Sequence, residues 1–129
     1  MTKRTAPQLA EQAAEAIRAL NHATRATPNA CLRYPGDVYA TFGELVAMAG
    51  RLPQAIGQLA LFIDVLQDEG RLRHDSGNPS RLGIELASFE QSTADAFRAA
   101  QLLRRALDGA HQALGRIGYQ AAREEGDRS

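Results

Sequence analysis

Apolar residues recur at alternating steps of four and three along two long stretches of the chain. This heptad spacing places them on one face of a helix. The first ladder consists of Val38, Phe42, Leu45, Ala49, Leu52, Ile56, Leu59, Ile63 and Leu66. The second is apolar at every position except Thr93 and consists of Leu82, Leu86, Phe89, Thr93, Ala96, Ala100, Leu103, Leu107, Ala110, Leu114 and Ile117. We predict one helix for each ladder.

The second ladder contains no proline, and it predicts a helix of about forty residues from Asn78 to Gly118, about 57 Å long at 1.5 Å per residue. Asn78 followed by Pro79 is a typical helix start, because asparagine caps backbone N–H groups and proline has none to satisfy. The other elements are expected to pack against this helix.

The first ladder keeps its phase through Pro53, which predicts a single helix from about Asp37 to Glu69, kinked near Gly50 to Pro53. The alternative is two helices, the second opened by Pro53. Asp37 is the preferred N-cap, and the capping-box pattern from Thr41 to Glu44 offers a later start. Gly70 suits the position after the helix.

A shorter helix is predicted near the N-terminus, from the cap residue Thr5 to about Ala26, where Thr27-Pro28-Asn29 ends it. Its apolar face is rich in alanine, which allows a close approach by another helix. Gly43, Gly50 and Gly57 are spaced by seven residues and therefore share one face of the next helix. We expect another backbone to approach there, most simply the alanine face of the first helix.

Together these elements predict an all-α fold, an elongated antiparallel up-down-up bundle of three helices with the second kinked near Pro53. We expect residues 1–6 to be flexible, residues 7–118 to form a single helical-bundle domain and residues 119–129 to be a disordered tail. Only 5% of the residues are aromatic and tryptophan is absent, which favours helix over sheet.

Composition and motifs give no sign of an enzyme. The 15 basic and 15 acidic residues balance, so no bulk attraction to nucleic acid or anionic membranes is expected. No nucleotide-binding loop, cysteine pair or zinc-protease motif occurs, and His22, His74 and His111 fall in different elements. We expect no catalytic residue, metal or cofactor. The single Cys31 suits a reducing, cytoplasmic compartment, and the longest apolar run, Leu59 to Ile63, is too short to span a membrane.

Apolar residues outside the ladders suggest a partner. A helix of about twenty residues cannot cover all the apolar surface of two longer ones, so we expect a homodimer or binding to another helical protein. The candidate interaction residues are Ile84, Phe97, Leu102, Leu61 and Phe62. The sequence thus indicates a non-enzymatic helical interaction or adaptor protein.

Two alternatives remain open at this point. Arg71, Arg73 and Arg81 lie in or beside the connection between the long helices, and they could contact nucleic acid or another anion. A helical bundle could also bind a small molecule in a pocket near Gly50 and Pro53.

Three segments carry a resemblance: Leu20-Asn-His-Ala-Thr-Arg25, Tyr34-Pro-Gly-Asp-Val-Tyr39 and Arg51-Leu-Pro-Gln54. Followed by a long alanine-rich helix, they resemble a group of small helical proteins of streptomycetes and related actinobacteria, some of which accompany mobile or conjugative elements. The resemblance implies a bacterial, cytoplasmic setting. It assigns no functional residue.

Overall fold

The computed structural model describes residues 3–25 and 31–122, and 77% of these residues are helical. The helices are α1 (Ala6–Thr24), α2 (Pro35–Asp68) and α3 (Pro79–Leu114). No strand occurs in the two described ranges. The prediction of an all-α fold is therefore confirmed.

Backbone packing divides the described residues into two units. One contains the residues up to Val38 together with those from Gly118 onward, and the other is Tyr39–Ile117. The second unit holds α3 and most of α2, and these two helices pack together. A single domain over residues 7–118 stays a prediction.

The caps of α1 and α3 lie where the sequence predicts them. At α1, the Thr5 hydroxyl accepts a hydrogen bond from the Gln8 N–H at 3.4 Å, and the Gln8 side chain accepts one from the Thr5 N–H at 2.9 Å. At α3, the Asn78 side chain accepts from the Ser80 N–H at 2.9 Å. Each cap satisfies N–H groups that have no partner within the helix.

The start of α2 differs from the prediction, because the helix begins at Pro35 rather than after Asp37. Proline fits the first helical position. Asp37 lies two residues inside, and its carboxylate accepts hydrogen bonds from the N–H groups of Arg33 at 2.8 Å and Tyr34 at 3.0 Å. These two backbone donors lower the pKa of Asp37. Residues 35–37 thus form part of the first turn of α2, and the later start at Thr41 is not used.

α2 is continuous through Pro53, which confirms the single-helix prediction, and the kink stays a prediction. α2 ends at Asp68, and Gly70 follows with a φ of +69°, a conformation that suits glycine. The Arg71 N–H donates to the Leu66 carbonyl at 2.9 Å and the Gly70 N–H to the Gln67 carbonyl at 3.0 Å. This pair of bonds is the Schellman motif that a glycine after the helix predicts.

α3 ends at Leu114, four residues before the predicted Gly118. Beyond it, the N–H groups of Arg116 and Ile117 bond to carbonyls three residues back, which tightens the chain and stops the helix. Ile117 is therefore exposed and not part of the ladder, contrary to the prediction. α1 ends at Thr24, and the predicted stop at residues 27–29 lies outside the described residues.

Residues 119–122, the described part of the predicted disordered tail, follow that turn. Within the first unit, Tyr119 packs edge-to-face on Tyr34 with ring centroids 5.0 Å apart. The rest of the tail lies outside the described residues.

α2 and α3 run in opposite directions. An α3 side chain lies over each of three glycines of α2. The pairs are Gly43 with His111, Gly50 with Arg104, and Gly57 with Phe97. As the number rises by seven on α2, it falls by seven on α3. The two helices therefore form an antiparallel hairpin with a heptad register.

This register corrects the expected role of the glycines. A Cβ on Gly43 would lie 3.1 Å from Nε2 of His111, and one on Gly50 would lie 3.1 Å from Nε of Arg104. The atoms over these glycines thus belong to long side chains of α3 rather than to an approaching backbone. The glycines make room for three large residues whose own spacing is also seven.

The ladders also divide differently from the prediction. The α2 column Phe42, Ala49, Ile56 and Ile63 is buried or half-buried, whereas in the column Leu45, Leu52, Leu59 and Leu66 two members are exposed, Leu52 by 37% and Leu59 by 61%. On α3 the column of Ala100 is kept, but Phe97, Arg104 and His111 replace Ala96, Leu103 and Ala110 over α2. Only one column of each ladder therefore lies in the contact. The other column flanks it.

Candidate functional site

The flanking column of each helix, together with the next column outward, forms an uncharged surface, which we call the apolar face. Its α2 part is Leu45, Met48, Leu52, Ala55, Leu59, Phe62 and Leu66. Its α3 part is Phe89, Ser92, Ala96, Ala99, Leu103, Ala106, Ala110 and Ala113. Within each set the spacing alternates between three and four, so each set shares one side of its helix.

Both sets lie on the same side of the hairpin. The opposite flank of α2 carries the glycines, and the opposite flank of α3 carries Ala94 and Gln101. Gly50 and Gln101 line one surface depression, and Gly57 and Ala94 line another, so these two flanks share a side. The remaining flanks must share the other side, which joins them into one face.

The middle of the apolar face is open to solvent. Leu59 and Phe62 are each 61% exposed, and Leu103 is 44% exposed. The only buried residues in the described ranges are Ala49 and Ala100, both in the contact between the helices. Burying a leucine or phenylalanine side chain contributes roughly 1.5–3 kcal/mol, so leaving such residues in water forgoes much of the available stability.

The two halves of the face differ in side-chain volume. The α2 half is built from leucine, methionine and phenylalanine, with Ala55 as its small member. The α3 half is mostly alanine, with Phe89 and Leu103 as its large members. Small residues let another helix approach closely, and large ones fill the space between helices.

The predicted interaction residues do not come together. Phe62 belongs to the apolar face, and Leu102 lies on the outer side of α3, two positions from the buried Ala100 and therefore about 200° around the helix. The side of the hairpin opposite the apolar face carries Gly43, Gly50 and Gly57, and we call it the glycine side. Leu61 and Ile84 lie toward the outer edges of that side. Phe97 is half-buried over Gly57, so it serves the hairpin itself.

The glycine side holds two open depressions. One, of about 310 Å³, is mainly apolar and includes Gly57, Ala60 and Phe97. The next, of about 400 Å³, is lined by Gly50, Pro53, Gln101, Arg104 and Arg105. The pocket expected near Gly50 and Pro53 therefore exists as a shallow surface hollow beside two arginines.

The basic connection is partly neutralised. Arg71 forms an ion pair with Glu69, with its Nε 3.0 Å from the carboxylate. His74 accepts a hydrogen bond from the Ser76 N–H through Nδ1, and the Asn78 N–H donates to the Ser76 hydroxyl at 3.3 Å. Arg73 and Arg81 are exposed. The three predicted arginines thus lie near one another along the chain, with one already engaged by a carboxylate.

Candidate catalytic and metal-binding groups are dispersed. Among residues 3–25 and 31–122, no three His, Cys, Asp or Glu side chains lie close enough to hold a metal ion. His111 stacks on Tyr39, with ring centroids 4.0 Å apart, and Cys31 is exposed.

No protein-family model, curated protein or solved structure matches this chain. By length and composition alone, α2 is apolar enough to cross a membrane, a property that core helices of water-soluble proteins also have. The longest uninterrupted apolar run is short, but α2 as a whole is apolar on average, so the absence of a membrane span stays a prediction.

Proposed function

We propose that this protein is a non-enzymatic helical interaction protein that acts through the apolar face of α2 and α3, with a second copy of itself as its partner. The open, uncharged middle of that face is the observation that carries the proposal. We place the protein in the cytoplasm, which its cysteine content favours. Docking of α1 to complete an antiparallel three-helix bundle belongs to this proposal and is not required by the experiments below.

The size of the face suits a stable dimer. Leu45 to Leu66 is 22 residues, or about 33 Å of helix at 1.5 Å per residue. Two helices side by side, about 10 Å each, make the face about 20 Å wide. About 650 Å² per copy, or about 1,300 Å² in total, falls within the range of specific protein interfaces, roughly 1,200–2,000 Å².

The first experiment measures molar mass in solution by light scattering. We expect a mass of twice 13.9 kDa for the wild type and of one chain for Leu59→Lys. The substitution removes a leucine from each copy at roughly 1.5–3 kcal/mol apiece. The dissociation constant should therefore rise at least about 100-fold, since 1.4 kcal/mol is a factor of ten.

Leu102→Lys is the matched control. Leu102 is exposed to the same extent as Leu59, 61%, but it lies on the outer side of α3. We expect this variant to keep the wild-type mass and helix content. A wild type that remains a monomer at 100 µM, or equal loss of mass in both variants, rules the proposal out.

A lipid surface is the competing occupant of the face, because α2 is apolar along its length. Flotation with neutral phosphatidylcholine vesicles tests it. We expect the dimer to stay in the protein fraction. Flotation of the wild type, lost in Leu59→Lys, would replace the second copy by a membrane as the partner.

The basic connection supports a second candidate, contact with nucleic acid or another anion through Arg73 and Arg81, with Arg71 shared with Glu69. A fluorescence titration with short double-stranded DNA at low and moderate salt tests it. Binding that weakens steeply with salt and is lost on Arg73→Gln with Arg81→Gln supports this candidate. Absence of binding at low salt excludes it.

A further inference from the structure

We infer that the two copies pair about a twofold axis parallel to the helices, so that α2 of each copy covers α3 of the other. This inference rests on the proposed function, because it presumes that the apolar face binds a second copy. It adds the arrangement of the four helices, which the proposed function leaves open.

A twofold pairing of two hairpins face to face has two solutions. If the axis runs along the helices, α2 of one copy lies over α3 of the other, and the two α2 helices are diagonal. If the axis crosses the helices, α2 lies over α2 and α3 over α3. In both arrangements neighbouring helices are antiparallel, so helix direction does not choose between them.

Side-chain volume distinguishes the two arrangements, which we call parallel (axis along the helices) and crossing (axis across the helices). In the crossing arrangement, the leucines and phenylalanine of both α2 helices would meet each other, and the alanines of both α3 helices would meet each other. One half of the interface would be overfilled and the other underfilled. Protein interiors pack densely, and both voids and overpacking are costly. In the parallel arrangement, the large half of each copy covers the small half of its partner.

The register of the hairpin supports this pairing at most levels of the face. Because the contacting positions of α2 and α3 add to 154, Leu59 lies level with position 95, one residue (about 1.5 Å) from Ala96. By the same rule Phe62 lies level with Ser92. A twofold axis along the helices leaves these levels unchanged, so four large α2 residues, Leu45, Met48, Leu59 and Phe62, each meet a small residue of the partner at about the same height. The other two, Leu52 and Leu66, fall opposite Leu103 and Phe89.

Ala55 and Ala99 provide a direct test, because they are level with each other, exposed and small. We make two single-cysteine proteins, Ala55→Cys and Ala99→Cys, each with Cys31→Ser. A disulfide needs Cα atoms within about 7 Å. Diagonal helices in a square of about 10 Å sides are about 14 Å apart. We therefore expect a disulfide-linked dimer in an equal mixture of the two proteins, and almost none in Ala55→Cys alone.

Light scattering measures the molar mass of the same samples before oxidation. This measurement separates the proposed dimer from its proposed parallel arrangement. A dimer in which Ala55→Cys bridges to itself, or in which the mixture does not bridge at all, overturns the parallel arrangement and leaves the proposed function standing. A monomer before oxidation overturns both. A second pair at another level, Met48→Cys with Ala106→Cys, is expected to behave like the first and guards against a local distortion.

Discussion

Two columns of apolar residues run side by side along α2, and α3 covers only one of them. The covered column includes Ala49, which has no exposed surface, and the uncovered column includes Leu59, which is 61% exposed. Both columns belong to the same heptad ladder in the sequence. The difference shows that a two-column ladder need not be one seam, because its columns can serve two different partners.

The largest expected effect comes from enlarging one alanine of the covered column and one alanine elsewhere on the apolar face. Ala49→Leu should lower the free energy of unfolding by about 1–3 kcal/mol, because the added carbons have no space between α2 and α3. Ala55→Leu adds the same atoms on the apolar face, where the chain leaves room, and should change it by less than about 0.5 kcal/mol. Urea denaturation measures both.

Both substitutions are measured in the Leu59→Lys background, so that association does not contribute to the free energy. Equal destabilisation by the two substitutions would mean that the apolar face is also packed within one chain, which would contradict the division between a covered and an uncovered surface.

The next effect concerns the glycines of α2. Gly57→Ala should raise the free energy of unfolding by up to about 1 kcal/mol, because alanine favours helix and its Cβ would lie 3.9 Å from Cε2 of Phe97, an ordinary contact. Gly43→Ala should gain much less, since its Cβ would lie 3.1 Å from the His111 ring, which is stacked on Tyr39. Thermal and urea denaturation give the values.

Gly83→Ala is the matched control for this comparison. Nothing lies within 4 Å of a Cβ on Gly83 in α3, so its gain should come from helix propensity alone, again up to about 1 kcal/mol. If Gly43→Ala gains as much as Gly83→Ala, the His111 ring does not restrict that position.

A pH-dependent effect tests how the start of α2 is held. The folded-state pKa of Asp37 is lowered by backbone N–H groups, so its contribution is present above its ordinary pKa and is lost as the pH falls through the folded value. Asp37→Ala should therefore destabilise the protein at pH 7, and its difference from the wild type should begin to shrink as the pH falls below about 3.9, the ordinary pKa of aspartate. Urea denaturation at pH 7, 5 and 3 measures this, and a difference as large at pH 3 as at pH 7 contradicts it.

The smallest effect is expected outside both columns. Arg98 pairs with Asp95 on the glycine side of α3, and both side chains are about 60% exposed. Arg98→Gln should cost less than about 0.5 kcal/mol and leave the dimer mass unchanged, because exposed ion pairs contribute little. A large change in mass on this substitution would move the partner to the glycine side.

Local signals in the sequence predicted three ends of the helices: the starts of α1 and α3 and the end of α2. Thr5, Asn78 and Gly70 act within a few residues of themselves, so their roles do not depend on the rest of the fold. The phase of the ladder likewise carried α2 correctly through Pro53. The start of α2 was missed because a carboxylate can cap from inside the helix as well as from its first position.

The orientation of the helices could not be read from the same pattern. Neighbouring columns on a helix differ by only about 50°, so an apolar stripe three columns wide permits several directions of contact. The direction was decided by Gly43, Gly50 and Gly57, which leave space that only large side chains on α3 can fill. The interaction residues predicted from positions outside the ladders therefore include Phe97, which packs within the hairpin. The predicted set also omits Leu52 and Leu59, although both belong to the α2 part of the apolar face, whose spacing has the same alternating steps of three and four.

The register of the hairpin has a consequence for how the chain folds. Gly57 and Phe97 are 40 positions apart along the chain, whereas Gly43 and His111 are 68 apart. Closing the shorter loop costs less entropy, so we expect the contacts between α2 and α3 to form first near the connection at Gly70. The remaining contacts should then form in order along the helices toward His111. Pulse-labelled hydrogen exchange would show amides around Gly57 protected before those around Gly43. The reverse order would mean that the far end of the hairpin nucleates folding.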